Sequence, residues 1–433
     1  MWFEHKRHDV LAEMQQTLSK LKAGDPKTIE QLGSDSTSTL AGMSSDERRA
    51  TAIRVLTDSI AEIEKEPDAK GHPFHSRDPL TGIIQSKMGE DSLIPELQAT
   101  GQGNPVVWIP AGIRGILEHC REKYPFQTAT AASRIEIPDT CKIAILSDWG
   151  APNIHAERLA KLAIAKGADY VIHLGDIYFS GTEGECKTFL KQWPLVDEGG
   201  DPVKGKSFAL NGNHEMYSLG KPFFTIVLKA FGQEASYFTL FNKHWQFQGL
   251  DTAYLPFSIN GRGEDTRLAV QGTWLEESIK NNPDKQNIFL THNQPVSAHL
   301  PELIAAQPLM TEIRPMLEKL GGNAIYAWFF GHEHRCTIYK DDETGTLFRA
   351  RLIGNGAIAH HPQEETTSDK DAQKASCTGF LKVNSRSLDE DNEVAVSTFV
   401  MLTLNGPDIH VDFVDEDDRL FHTEDWNAST RLW

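Results

Sequence analysis

The chain is predicted to fold as an α/β protein preceded by a mainly helical N-terminal region, and three observations predict it. From about residue 141 onward, apolar runs of four to seven residues, rich in Ile, Val and Phe, each end in Gly, Asp, Asn or His. Runs of that length bounded by polar turns read as buried strands. Helical stretches separate several of them, an alternation that belongs to layered α/β architectures. Before residue 135 the apolar spacing is helical instead. A length of 433 residues suits two or three domains at about 150 residues each. The expected division is a helical cap or interaction region over residues 1–135 and one larger domain over 136–433.

Each element has a local reason. Leu11, Met14, Leu18 and Leu21 share one helical face, and a Ser/Thr-rich connector follows at Ser34–Thr39. Ser44 with Glu47 forms a capping box for a helix carrying Ile53, Leu56, Ile60 and Ile63. Gly101–Pro110 reads as a loop, and Ile113–Tyr124 as a helix ended by Pro125. The predicted strands are Lys142–Leu146, Tyr170–Leu174, Ser207–Leu210, Asn287–Leu290, Ala324–Phe330 and Phe348–Ile353. Helices are predicted over Ile154–Lys166 and Thr273–Lys280, and an acidic loop over Gln363–Asp371. The chain closes with a hairpin, Val396–Leu404 and Ile409–Val414, turning through Asn405-Gly406-Pro407-Asp408.

Charge and composition exclude several classes. With 43 basic and 61 acidic residues the formal charge is −18, which repels nucleic-acid phosphates, so nucleic-acid binding is not expected. No run approaches the roughly 20 apolar residues of a membrane span. The five cysteines are scattered, odd in number and without a CxxC pair. That usage and the polar start of the chain point to a reducing, cytoplasmic location. A phosphate-bearing substrate would then require positive charge concentrated at one point.

Five of the predicted strands end in metal-binding residue types: Asp148, Asp176, Asn213, His292, and the pair His332 and His334. In open α/β sheets, sites assemble at the carboxyl ends of strands. Two carboxylates, one amide oxygen and three imidazoles exceed the needs of one tetrahedral ion and suit two ions sharing a carboxylate.

The series Ser147-Asp148-Trp149-Gly150, Gly175-Asp176-Ile177-Tyr178, Gly212-Asn213-His214-Glu215, Thr291-His292 and Gly331-His332-Glu333-His334 resembles the calcineurin-like metallophosphoesterases. It is most similar to the purple acid phosphatase branch, and Gln271–Leu275 looks like the family's helix before the fourth motif. The resemblance covers about residues 141–360 and implies two stacked mixed β-sheets flanked by helices. It implies a dinuclear metal-dependent phosphoric ester hydrolase, with phosphomonoesters favoured and hydroxide held between two ions. Phosphodiesters or nucleotides, or a weakly active scaffold that binds partners, are the alternatives. Asp176 would bridge the ions, which could be Fe, Mn or Zn. Asp148 and His334 would bind the first, and Asn213, His292 and His332 the second. His214 would act on the phosphoryl oxygens or the leaving group, its alternative being to orient Asp176.

The first motif departs from the wider family. Gly150 stands where most members supply a histidine, and purple acid phosphatases compensate with a tyrosine three residues after the bridging aspartate. Here that position is Phe179, and Tyr178 comes one residue early. On an extended segment such an offset reverses side-chain direction. Tyr178 is therefore a candidate ligand with a packed or substrate-facing ring as the alternative. His299, Asn153 and Arg335 flank the motifs as candidate contacts to a phosphorylated small-molecule or nucleotide substrate.

Overall fold

The structure is a computed structural model that describes residues 7–31, 44–64, 81, 123–150, 154–261, 266–297, 300–320, 324–341, 348–357, 380–383 and 396–430. Near the N-terminus, α1 (Arg7–Ala23), α2 (Pro26–Gln31) and α3 (Ser45–Ile63) pack together. Val10, Met14 and Leu21 of α1 are buried against Leu56, Ile60 and Ile63 of α3. The capping box is present: the Glu47 carboxylate accepts the Ser44 N–H at 2.8 Å and the Ser44 hydroxyl accepts the Glu47 N–H at 3.3 Å. The predicted Ser34–Thr39 connector, the Gly101–Pro110 and Gln363–Asp371 loops and residues 113–122 of the predicted helix lie outside the described residues. Tyr124, its expected last residue, is not helical.

Two mixed sheets follow, flanked by helices. One has the strand order β1-β5-β6-β7-β8-β10-β9-β11 and the other β14-β13-β12-β2-β3-β4. The first holds β1 (Arg134–Glu136), β5 (Phe238–Phe241), β6 (Trp245–Leu250), β7 (Gln286–Thr291) and β8 (Ala327–Phe330). Its remaining strands are β9 (Cys336–Tyr339), β10 (Arg349–Ile353) and β11 (Phe380–Val383). The second holds β2 (Thr140–Leu146), β3 (Tyr170–His173), β4 (Ser207–Ala209), β12 (Thr398–Asn405), β13 (Asp408–Asp415) and β14 (Leu420–Asn427). The site-bearing strands run parallel to their neighbours, β2 with β3, β3 with β4, and β7 with β8.

Side-chain alternation assigns the layers. Ile143, Ile145, Ile172, Ile288, Leu290 and Phe329 meet between the two sheets. Their sequence neighbours Ala144, Leu146 and Val171 turn outward to α4 (Ile154–Ala165) and α5 (Glu183–Gln192). Phe289, Trp328 and Phe330 face α7 (Ala269–Lys280) and α8 (Leu300–Leu320), a short α6 (Asn213–Met216) intervening in the chain. Strands covered on both faces explain why they read as nearly continuous apolar runs. One buried ion pair joins the sheets: the Arg351 guanidinium on β10 meets Glu424 on β14 at 2.7 Å. Breaking such a pair by removing one partner costs about 3–5 kcal/mol.

The predicted terminal hairpin forms in register, with Asn405 opposite Asp408 and Gly406 in the left-handed region at φ 62°. It is extended by β14, so the chain ends in a three-stranded meander instead of a hairpin. The predicted Ala324–Phe330 strand begins only at Ala327, and the helix predicted from Thr273 already begins at Ala269.

Candidate metal centre

Five loops leaving strands of both sheets converge. Asp148 is the second residue past β2, Asp176 the third past β3, and Asn213 opens α6 four residues past β4. His292 immediately follows β7, and His332 is the second residue past β8. Two groups of donor atoms each lie within 4.8 Å of one another: Asp148, Asp176 and His334, and Asp176, His292 and His332. Asp176 belongs to both groups.

Its Oδ2 is the atom that faces both ways. It lies 3.0 Å from the Tyr178 hydroxyl on one side and 3.3 Å from His292 Nε2 on the other. The other oxygen, Oδ1, accepts the His214 backbone N–H at 3.0 Å, which fixes the carboxylate plane. A side chain at position 212 would intrude into this carboxylate, so the glycine is a packing requirement.

On the first side, the Tyr178 hydroxyl donates to Asp148 Oδ1 at 2.9 Å and lies 2.8 Å from His334 Nε2. The offset expected to turn this tyrosine away does not do so. Residues 178–180 form a turn and are not a strand, so period-two alternation does not apply to them. Gly150, in the place of the family's histidine, presses on Ile177; a Cβ there would stand 2.6 Å from the Ile177 Cα. The loop carrying Tyr178 thus occupies the space a side chain at 150 would need. Asp148 Oδ2 accepts the Ser147 hydroxyl at 2.7 Å and the His332 N–H at 3.1 Å.

On the second side, Asn213 Oδ1 and His332 Nδ1 lie 3.0 and 3.2 Å from His292 Nε2. His292 Nδ1 is 3.2 Å from the Leu174 carbonyl and donates to it, which directs the Nε2 lone pair at the other donors. Four lone-pair donors facing one another need a proton or a cation between them. Carboxylate, amide, imidazole and phenol together suit Fe, Mn or Zn, so the residues present fit a metal pair.

The titration behaviour without metal reports the same crowding. Burial, with Asp176 adding repulsion against relief from His292, pushes Asp148 up to about 7. Burial opposes ionisation of Asp176 too, but the charges of His292 and His214 hold it well below the usual carboxylate range. His292, despite burial, is raised to about 9 chiefly by Asp176. Burial and the charges of Asp148 and Asp176 push the Tyr178 phenol well above its ordinary value.

His214 stands at the edge of this cluster. Its Nδ1 donates to the Phe179 carbonyl at 2.5 Å, leaving Nε2 3.8 Å from Asp176 Oδ2. The rings of Tyr178 and Tyr217 hold it, at centroid distances of 4.4 and 4.7 Å. Arg335 follows His334 in the chain, and its buried Nε and Nη1 lack a hydrogen-bond partner among the described residues. Asn153 and His299 lie outside the described residues.

Glu215, not singled out by sequence reasoning, ties the loops together. It is buried and accepts the N–H groups of Asp176 at 3.1 Å, of Ile177 and of Gly212. Burial and the charge of Asp176 push it up to about 8, against the pull of those N–H donors. Its place three residues after Gly212 is the capping spacing that could have signalled this role.

Residues 141–336 match the family described as calcineurin-like phosphoesterase. Comparison with curated proteins gives no match. Among solved structures, the chain is similar to purple acid phosphatase PPD1 from yellow lupin (Lupinus luteus) seeds. The TM-score is 0.46 at 15% identity, covering 70% of this chain and 55% of that one. It is also similar to the protein TT1561 of Thermus thermophilus, with a TM-score of 0.33, 11% identity, and coverage of 67% and 99%. For Vps29 of Chaetomium thermophilum the TM-score is 0.28 at 8% identity, with coverage of 67% and 99%. No helix among the described residues is long and apolar enough to cross a membrane.

Proposed function

We propose that this chain, whose residues 141–336 match the calcineurin-like phosphoesterase family, hydrolyses phosphate esters at a pair of metal ions, phosphomonoesters foremost. The family and the two metal-ligating groups support metal-dependent phosphoester hydrolysis in general. The observation that carries the dinuclear reading is one buried carboxylate, Asp176, common to both groups.

In this reading Asp148, Tyr178 and His334 would hold one ion, Asn213, His292 and His332 the other, and Asp176 would be shared by both. A bound pair would supply a water of lowered pKa and positive charge to meet the phosphoryl oxygens. That local charge resolves how a chain of −18 attracts phosphate. His214, with Nδ1–H committed to a carbonyl, is left with Nε2 to hold a proton toward the leaving oxygen. Arg335 is assigned to substrate phosphate because two of its guanidinium nitrogens, Nε and Nη1, have no hydrogen-bond partner among the described residues.

The N-terminal region, residues 1–135, is assigned to substrate selection. What supports this is its point of entry: the Tyr124 N–H donates to the Leu219 carbonyl at 3.0 Å, just past α6 and the Asn213 side of the centre. A deletion of that region that left the substrate profile untouched would end this assignment.

The test of the main reading is turnover of aryl phosphate mono- and diesters by protein loaded with Mn, Zn or Fe. Monoester turnover should exceed diester turnover, and both Asp176→Asn and His214→Ala should abolish most of it. Turnover that survives both substitutions would refute the mechanism.

A further inference from the structure

We infer that Tyr217 is a positioning residue that sets which face of the Asn213 amide meets the second ion. The inference rests on the metal centre proposed above. An asparagine amide has an oxygen that binds a cation and an NH2 group that cannot, and the two are interchanged by a half-turn of the side chain. Something must therefore select the orientation. Here Tyr217 stands one helical turn after Asn213, and its hydroxyl accepts the Asn213 Nδ2–H at 2.9 Å. That contact leaves Asn213 Oδ1 facing His292 Nε2 at 3.0 Å, on the side of His332 and Asp176.

The selection matters because the opposite orientation presents the NH2 group to the cation site. His292 Nδ1 is committed to the Leu174 carbonyl, so it is Nε2 that faces the Asn213 amide and, once the ring gives up its proton to a cation, offers the lone pair. Without the phenol, the NH2 loses the acceptor that holds it away from the cation site, and an amide turned the other way excludes the cation. The ion would then have to reverse the amide in order to bind. Tyr217 is itself 8% exposed, and its ring packs on His214 with centroids 4.7 Å apart. Tyr217→Phe therefore keeps the packing beside His214 and removes only the oxygen.

The experiment is a competition titration of full-length metal-free protein with Zn(II) against a chromophoric chelator, resolving two binding steps. Tyr217→Phe is expected to weaken the step that depends on Asn213 and His292 by about 10–100-fold, as loss of a ligand-orienting partner typically does. The step that depends on His334 should stay within threefold of the unsubstituted protein, which also shows that the variant is folded. In an Asn213→Asp background both oxygens are alike and there is no face to select, so the added cost of Tyr217→Phe should fall below threefold. Equal weakening of both steps, no weakening, or the same loss in the Asn213→Asp background each overturns the role of Tyr217 alone. Fewer than two bound ions in the unsubstituted protein overturns the dinuclear reading itself, and this role with it.

Discussion

Tyr178 is the residue at which local pattern and folded geometry disagree most, so its removal is the most informative perturbation. Tyr178→Phe deletes one oxygen from a buried ring that keeps its contacts with His214 and His334. The hydroxyl lies within 3.0 Å of Asp148, Asp176 and His334. It has a single proton, so it donates to one carboxylate at a time. A hydrogen bond to a charged group contributes about 1.5–3 kcal/mol. The metal-free variant should therefore lose about that much stability in urea unfolding. In the metal-loaded protein the first ion would keep only Asp148, Asp176 and His334. Its affinity should fall at least tenfold, equivalent to about 1.4 kcal/mol, while the second binding step is preserved. Titration with a competing chelator measures both steps in one experiment. An unfolding free energy within about 0.5 kcal/mol of the parent, together with two unchanged steps, would show that the phenol is a bystander.

Three further outcomes follow from the geometry. His214→Ala should lower kcat by about 10²–10⁴-fold while elemental analysis still finds two ions per chain; loss of metal in parallel would instead make His214 structural. Glu215→Ala leaves three buried N–H groups without an acceptor, at about 1–3 kcal/mol each. That total rivals a whole domain's stability of about 5–15 kcal/mol, so little soluble protein is expected, and normal yield with a parental melting temperature would contradict it. His173 is buried, with Nδ1 accepting the Gly175 N–H at 3.3 Å, and burial pushes it down to about 3. The unfolded chain takes up this proton near pH 6.5 and the folded chain refuses it, so stability falls as pH drops from 6.5 toward 3. Between pH 6.5 and 4.5 the parent should lose about 2.3 kcal/mol more than His173→Phe, read by urea unfolding at both values. Equal losses in the two proteins would rule out His173 as the source.

The candidate donors that the fold brings together were legible because metal chemistry restricts residue type, and strand ends restrict position. Asp148, Asp176, Asn213, His292 and His332 each follow an apolar run that had to be a strand. The capping box at Ser44 was legible for a simpler reason: both partners lie within one helical turn. Tyr178 was harder to read, since whether its segment is strand or turn is decided by Ile177 packing against Gly150, distant in sequence. The hairpin of β5 and β6 escaped notice because Gln246 and Gln248 are buried within it. Their amides donate to the Asn287 side chain, each at 3.2 Å. A buried polar pair interrupts the apolar signature without exposing the strand. β14 escaped for the opposite reason. It is an edge strand with mostly accessible residues, and its charges resemble a loop.

Three of the candidate ligands share a backbone feature that no residue pattern announces. Asp148, Asp176 and His332 have φ of 53°, 70° and 71°, in the left-handed region that side chains other than Gly seldom enter. Each sits two or three residues past a strand end. A chain leaving the sheet in extended form would send successive side chains to opposite faces. The left-handed step breaks that alternation and swings the ligand into the crevice. Such residues cost about 1–3 kcal/mol each and persist only where their surroundings over-determine them. Here each one donates its own N–H to a different motif. Asp148 donates to the Gly175 carbonyl at 3.0 Å, Asp176 to Glu215 at 3.1 Å, and His332 to the Asp148 carboxylate at 3.1 Å. The strain in one loop is thus held by the next, and the loops come from both sheets. Because these ties run through backbone N–H groups and not through the cations, the donors are assembled by the fold itself, so binding energy is not needed to draw the loops together.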